Sequence, residues 1–271
     1  MTVPRDLILE RLALNVDGLI ESFRRVAAQM LSSEVVSPFR STGSSGHASP
    51  FVKALFPEIK AAATLERSLN TALGWGWDKI VADIARATHG NGSVGYYVDG
   101  TVSANAANLI NDVVTSYTSG TGHPVPKTTA ELGAILAGAG VPGARETVHE
   151  KDDAFYLDSN GLENHVEIKT PKPNYDQMRA AKRRILRIHA VRHPTEVAAF
   201  VGMPYNPNGR FGQYAWPTTP IFLDTTRDLL VGEQFWNHVG NSADTYDELL
   251  DCFYEISRTR RGDLGILLDE L

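Results

Sequence analysis

The dipeptide Asn160-Gly161 stands between two alternating runs, DAFYLDS before it and LENHVEIKT after it. Asn-Gly is the strongest short-range signal of a hairpin, because both residues tolerate the positive φ that a tight β-turn demands. Two antiparallel strands should therefore fold back on each other here. The next stretch, YDQMRAAKRRILRIHAVRH, has helical period and stops before Pro194, and EVAAFVGMPYN then reads as a continuous apolar strand of the kind buried on both faces. The order strand, strand, helix, strand predicts an α/β fold with a mixed central sheet flanked by helices.

The rest of the chain arranges itself around that block. We expect 271 residues in a single domain, long enough for a large core, with a mainly helical part over 1–145, the hairpin, helix and strand over 146–225, and a helical part over 226–271. Residues 5–32 have apolar positions at helical spacing. SSEVVSPFRSTGSSGHASP reads as a long loop, and residues 56–88 as two helices or one helix broken at Gly-Trp-Gly. Residues 101–118 are ambiguous, TSGTGHPVP is a loop, and TTAELGAILAGAG is a short helix stopped by glycines. GNGSVG, residues 90–95, formally fits G-x-G-x-x-G, but it follows a helix and opens none, so it reads as a helix stop and turn. Thr245-x-x-Glu248 predicts a capping box at the start of the last helix.

Several function classes fall away on composition. Cys252 is the only cysteine, which excludes an internal disulfide framework and zinc sites built on several thiolates. No apolar run is long enough to cross a bilayer, and the N-terminus lacks the compact apolar segment of a secretory signal, so the expected location is the cytoplasm. The formal charge of −6 is not the basic excess usual for nucleic-acid binding. Eight of the 26 lysines and arginines nevertheless fall between Lys169 and Arg192, so a polyanion would meet the middle of the chain.

The chemistry concentrates at the end of the second hairpin strand, in VEIKTPKPN. Residues i and i+2 of a strand share a face, so Glu167 and Lys169 lie side by side with Ile168 turned away. An E-x-K triplet is common in solvated strands; here apolar neighbours put the hairpin inside a sheet, where charges are costly unless paired or metal-bound. Hydrolysis of a phosphodiester at neutral pH is helped by a hard cation on oxygen ligands, which needs a second carboxylate. With a two-residue turn Asp153 faces Ile168; with a three-residue loop the register shifts by one and Asp153 faces Glu167 or Lys169. Asp158 would lie beside the turn, roughly 10 Å from Glu167. Asp153 is therefore the first choice, with Asp152 and Asp158 as lesser candidates. His149 and His165 flank the site and read as structural or solvent-facing.

Asp153, followed by Glu167-x-Lys169, a helix and a strand, resembles the PD-(D/E)-x-K nuclease core. Asp152 stands where the motif's name has proline, a departure that leaves the choice of aspartate open. A wider likeness covers most of the chain. SPFVKALFP, LERSLNTALG with WDKIVADIA, EIKTPKPN, and LVGEQFWNHVG with TYDELLDCF together resemble the TdeIII/MjaII type II restriction endonucleases. That resemblance implies a restriction-endonuclease-like core and Mg2+-dependent cleavage of double-stranded DNA at a short palindrome, GGNCC. It implies Asp153 and Glu167 as metal ligands, Lys169 orienting or activating the attacking water, and Glu66, in the helical LERS block, as a further ligand. It also implies a companion DNA methyltransferase. The rival readings are a repair or structure-specific nuclease and an inert DNA-binding protein in which Glu167 and Lys169 form a structural ion pair.

DNA contacts are expected from three places. The helix after the hairpin carries Met178, Ala181, Ile185 and Ile188 on an apolar stripe and Arg179, Lys182, Arg183 and Arg187 on a basic one suited to phosphates. Lys172 and Asn174 lie just past Lys169 on a segment held extended by Pro171 and Pro173. The loop MPYNPNGRFGQYAWP offers Asn206, Asn208, Arg210 and Gln213 as base readers. A palindromic site has two-fold symmetry, which predicts a homodimer.

Overall fold

The computed structural model describes residues 3–32, 76–117 and 125–269. Its elements run α1 (Arg5–Ser32), α2 (Trp77–His89), β1 (Ser93–Val94), β2 (Tyr97–Ser103), α3 (Ala104–Ser116), α4 (Thr128–Ala139), β3 (Arg145–Lys151), β4 (Ala154–Leu157) and β5 (Glu163–Ile168). There follow α5 (Tyr175–Arg192), β6 (Val197–Met203), α6 (Thr219–Phe222), β7 (Leu229–Val231), α7 (Glu233–Val239) and α8 (Thr245–Asp269). Five strands form a mixed sheet in the order β1-β4-β5-β6-β7. The β1–β4 and β4–β5 pairs are antiparallel, and β5–β6 and β6–β7 are parallel. The expected α/β class with a mixed sheet between helices is thus observed.

Alternation along β5 and β6 sorts their side chains onto two faces. Val166 and Phe200 join Ala154 and Tyr156 in a core built with Ile8, Leu12, Trp77, Ile80, Trp236 and Phe253 from α1, α2, α7 and α8. Val197, Ala199, Val201 and Met203 point the other way, onto Met178, Ala181, Ile185 and Ile188 of α5. The predicted apolar stripe of that helix therefore covers the sheet. A capping box starts α5: Asn174 Oδ1 accepts the Gln177 amide at 2.9 Å and Gln177 Oε1 accepts the Asn174 amide at 2.8 Å. Beyond α5, a second sheet of β2 and β3 packs with α3 and α4 in a third core around Val102, Ile110, Ile135, Val148 and Leu186.

The differences from expectation have local causes. Ser93 and Val94, read as turn, form β1, the edge of the main sheet, opposite Phe155 and Ala154. Residues 97–103 form β2 because β3, more than forty residues later, supplies its partner, with Tyr97 opposite Lys151 and Ser103 opposite Arg145. Thr245 is the first helical residue of α8 and donates its hydroxyl to the Ser242 carbonyl at 3.1 Å, while Glu248 Oε2 accepts the Val3 amide at 3.0 Å. Glu248 therefore ties Val3 to α8. The long loop predicted from residue 32 and the helix predicted over residues 56–75 lie outside the described residues.

Candidate active site

The hairpin closes with a three-residue loop, residues 159–161. The Asp158 amide donates to the Leu162 carbonyl at 3.0 Å, and Gly161 takes a φ of +81°, a left-handed position that favours glycine. Asp158 caps the turn, its Oδ1 accepting the amides of Asn160 at 2.8 Å and Leu162 at 3.0 Å. The register sets Ala154 opposite Val166 and Phe155 opposite His165. One more step along that pairing puts Asp153 beside Glu167, the arrangement a three-residue loop predicts. The Asp153 amide donates to the Val166 carbonyl at 3.1 Å, and Asp153 Oδ2 accepts the Ile168 amide at 2.7 Å.

On the face of β5 that meets α5, the chain carries Glu163, His165, Glu167 and, just past the strand, Lys169. This is a row of ionisable groups where the neighbouring β6 presents only apolar side chains. Each member is paired, as burial requires. Glu167 is 6% exposed; Lys169 Nζ sits on its Oε1, and the Arg184 guanidinium, projecting from α5, sits on its Oε2. Arg184 also reaches Glu150 of β3, at 3.3 Å, and Arg187 meets the same carboxylate at 2.8 Å. Burial pushes the Lys169 ammonium pKa down, against an opposing pull from the Asp153 charge. A buried amine of this kind gives up its proton more readily than a solvated lysine.

Asp152 does not take the place of Asp153. It is buried, and its Oδ2 meets His165 Nδ1 at 2.7 Å, while His165 Nε2 meets Glu163 Oε2 at 3.0 Å and Arg192 closes the chain on Glu163 at 2.8 Å. Burial raises the Asp152 pKa, and the His165 contact opposes that rise. His165 is thus a buried structural link, and His149 an exposed one paired with Asp99.

Two residues that the sequence did not single out face the site. One is Arg184. The other is Asp78, in the first turn of α2, a helix packed on β4. Its pKa is raised first by burial, with the Asp153 charge adding to it. Asp153 and Glu167 present hard oxygen donors. That donor set fits a hard divalent ion. Among the described residues no group of three His, Cys, Asp or Glu side chains is close enough to hold a metal. Glu66 lies outside the described residues.

The residues expected to meet DNA divide into two groups. Lys172, Arg179 and Gln213 keep accessible polar ends: Lys172 Nζ lies 5.9 Å from the Trp216 ring centre, and Arg179 pairs with Asp176, one turn away, while the Nε of the half-buried Arg183 is shielded from solvent. Lys182 does not belong with them. It is 0% exposed, and its Nζ contacts Glu131 at 2.6 Å, Thr128 Oγ1 at 2.6 Å and Asp228 at 2.9 Å, so it is a core ion on the buried side of α5. Asn174 is occupied as the N-cap described above. Asn206 Nδ2 donates to the Gly212 carbonyl at 2.6 Å, Asn208 Nδ2 to the Gln213 carbonyl at 2.8 Å, and Arg210 forks onto Glu233 and Asp247. These three side chains hold the loop in shape, which leaves them few donors for bases.

Comparison with known proteins identifies the family of the chain. The sequence model of the HinfI type II restriction endonuclease family matches residues 21–257. The type II restriction enzymes HgiEI and HgiCII of Herpetosiphon aurantiacus are 28% and 27% identical to the chain over 235 residues, 85% of each protein. HgiBI of the same organism is 27% identical over 223 residues, 81% of each. The chain belongs to the HinfI family of type II restriction endonucleases and is a site-specific deoxyribonuclease. The matching model bears the HinfI name; it and the TdeIII/MjaII type that the separate sequence blocks resemble are both type II restriction endonucleases.

Proposed function

We propose that this endonuclease hydrolyses phosphodiester bonds of double-stranded DNA at a short palindrome, using a PD-(D/E)-x-K centre made of Asp153, Glu167 and Lys169 with Mg2+ as cofactor. The observation that carries the reading is the juxtaposition of Asp153 with Glu167 across the hairpin, beside a desolvated Lys169. Asp153 and Glu167 would hold the ion, with Glu66 as the further ligand. Bound there, Mg2+ supplies Lewis-acid polarisation of the phosphate and stabilises charge on the departing oxygen.

The protein groups account for the remaining work. The reaction adds a water oxygen to phosphorus and breaks one phosphorus–oxygen ester bond, so a proton must leave the water and another must reach the leaving oxygen. Lys169 Nζ, its ammonium destabilised by burial, would hold the water and handle its proton. Arg184 and the Ile168 amide fix the two carboxylates in position from α5 and β5. Lys172, Arg179 and Arg183 would contact phosphates, and Gln213 a base edge. The GGNCC site, a homodimer and a companion methyltransferase belong to the same reading and rest on the resemblance of the separate blocks to the TdeIII/MjaII enzymes.

A digest of a mapped plasmid with the purified protein and Mg2+, with the fragment ends sequenced, tests it. Discrete fragments that share one short palindrome at their ends are expected. Fragments with no common sequence would support a structure-specific nuclease instead.

A further inference from the structure

The loop between β6 and α6 is built as a stand, and what it holds out is Phe211. Around it, the Gly209 amide donates to Asn206 O at 3.1 Å and the Gly212 amide to Gly209 O at 3.1 Å, and the Asn206 and Asn208 side chains close on the carbonyls of Gly212 and Gln213. Arg210 is clamped by carboxylates from two helices, Glu233 of α7 and Asp247 of α8. Its guanidinium lies 5.2 Å from the buried Tyr246 ring on one hand and 5.3 Å from the Phe211 ring on the other. Phe211 is 90% exposed. A large apolar ring supported from behind by a fixed cation and bare in front is costly to leave in water and ready to stack.

The far end of the same loop is tied to the exit of the catalytic strand. Tyr214 Oη donates to the Pro171 carbonyl at 2.9 Å, while Trp216 Nε1 and Thr218 Oγ1 donate to the Pro173 carbonyl at 2.8 Å each. The Lys169 amide in turn donates to Gly202 O on β6, at 3.0 Å. The loop that presents Phe211 is therefore tied at its far end to the segment that leaves the strand of Glu167 and Lys169.

We infer that Phe211 is an aromatic contact to the bases of the bound duplex, stacking at an opened base step of the recognition site. The inference rests on the nuclease reading above. It assigns Asn206, Asn208 and Arg210 the work of presenting that ring and takes base reading away from them. Stacking of a base on an aromatic side chain is worth enough to change binding roughly tenfold or more when removed, and it also selects for sequences that unstack cheaply.

Wild type, Phe211→Ala, Phe211→Trp and Phe211→Leu are compared on a duplex carrying the mapped site, by kcat/KM for cleavage, by unfolding midpoint, and by fluorescence of 2-aminopurine placed in the site. The expected result is a loss of about tenfold or more for Ala and Leu, recovery with Trp, an unchanged midpoint, and a rise in base fluorescence on binding that Phe211→Ala abolishes. Cleavage by Phe211→Ala within about twofold of wild type, or recovery with Leu as complete as with Trp, would overturn the inference while leaving the nuclease reading intact. Wild type that cuts no DNA would defeat both.

Discussion

Asp153 Oδ2 accepts the Ile168 amide at 2.7 Å, so one carboxylate oxygen is held by the backbone of the very strand that carries Glu167 and Lys169. The bond crosses from the end of the first hairpin strand to the second. It sets the spacing between two acidic groups without either having to neutralise the other. The same bond explains why Asp153, and not its neighbour Asp152, is the acidic group available at this edge: Asp152 is turned onto His165 and buried.

Arg184 should behave as a positioning residue. It anchors Glu167 from α5 while sharing Glu150 with Arg187. We expect Arg184→Gln to lower the cleavage rate about 10- to 100-fold, as loss of a group orienting a ligand commonly does, and Arg184→Lys to recover part of it. Single-turnover rates measure this directly. A rate equal to wild type for Arg184→Gln would remove Arg184 from the account.

Lys182 tests the assignment of a core ion. Its ammonium offsets Asp228 and the partly buried Glu131 in a cluster with Thr128. Lys182→Met should cost about 3–5 kcal/mol in denaturant unfolding, because the two carboxylates are left buried without their partner. DNA affinity per folded molecule should not change. A loss below about 1 kcal/mol, or a selective loss of DNA binding, would return Lys182 to the surface group.

His189 predicts acid sensitivity. Burial, with smaller contributions from the Arg227, His165 and Lys182 charges, depresses its pKa from 6.5 to about 4. The folded state keeps the imidazole neutral while the unfolded chain protonates it, so stability is lost as pH falls from about 6.5 to about 4 and levels off below. The loss attributable to His189 is on the order of 3 kcal/mol at most. His189→Gln should show a shallower decline of unfolding free energy over that window, and parallel curves for the two proteins would contradict the assignment.

The central fold and the adjacency of Glu167 and Lys169 were legible in the sequence because they are local. Asn160-Gly161, the alternation around it and the helical period after it specify a hairpin, α5 and β6 within about fifty residues of chain, and Glu167-x-Lys169 follows from strand geometry alone. Loop length decided whether Asp153 faced Glu167, and Asn-Gly admits both two- and three-residue loops. Asp78 was not legible, since its place near the hairpin depends on how α2 packs on β4 across more than seventy residues of chain. β2 was missed for a similar reason: its partner β3 lies on the far side of two helices. The basic stripe of α5 misled at Lys182, because a helix sandwiched between a sheet and α4 has a buried face on both sides, and a lysine there pairs inward.

Asp153→Asn puts the account to its most direct test. The amide oxygen of Asn can still accept the Ile168 N–H, so the hairpin and the unfolding midpoint should be retained while the negative charge is lost. Single-turnover cleavage of one duplex with Mg2+ should then fall by at least about a hundredfold relative to wild type. A folded Asp153→Asn enzyme that cuts within about threefold of wild type would show that the reaction is centred elsewhere.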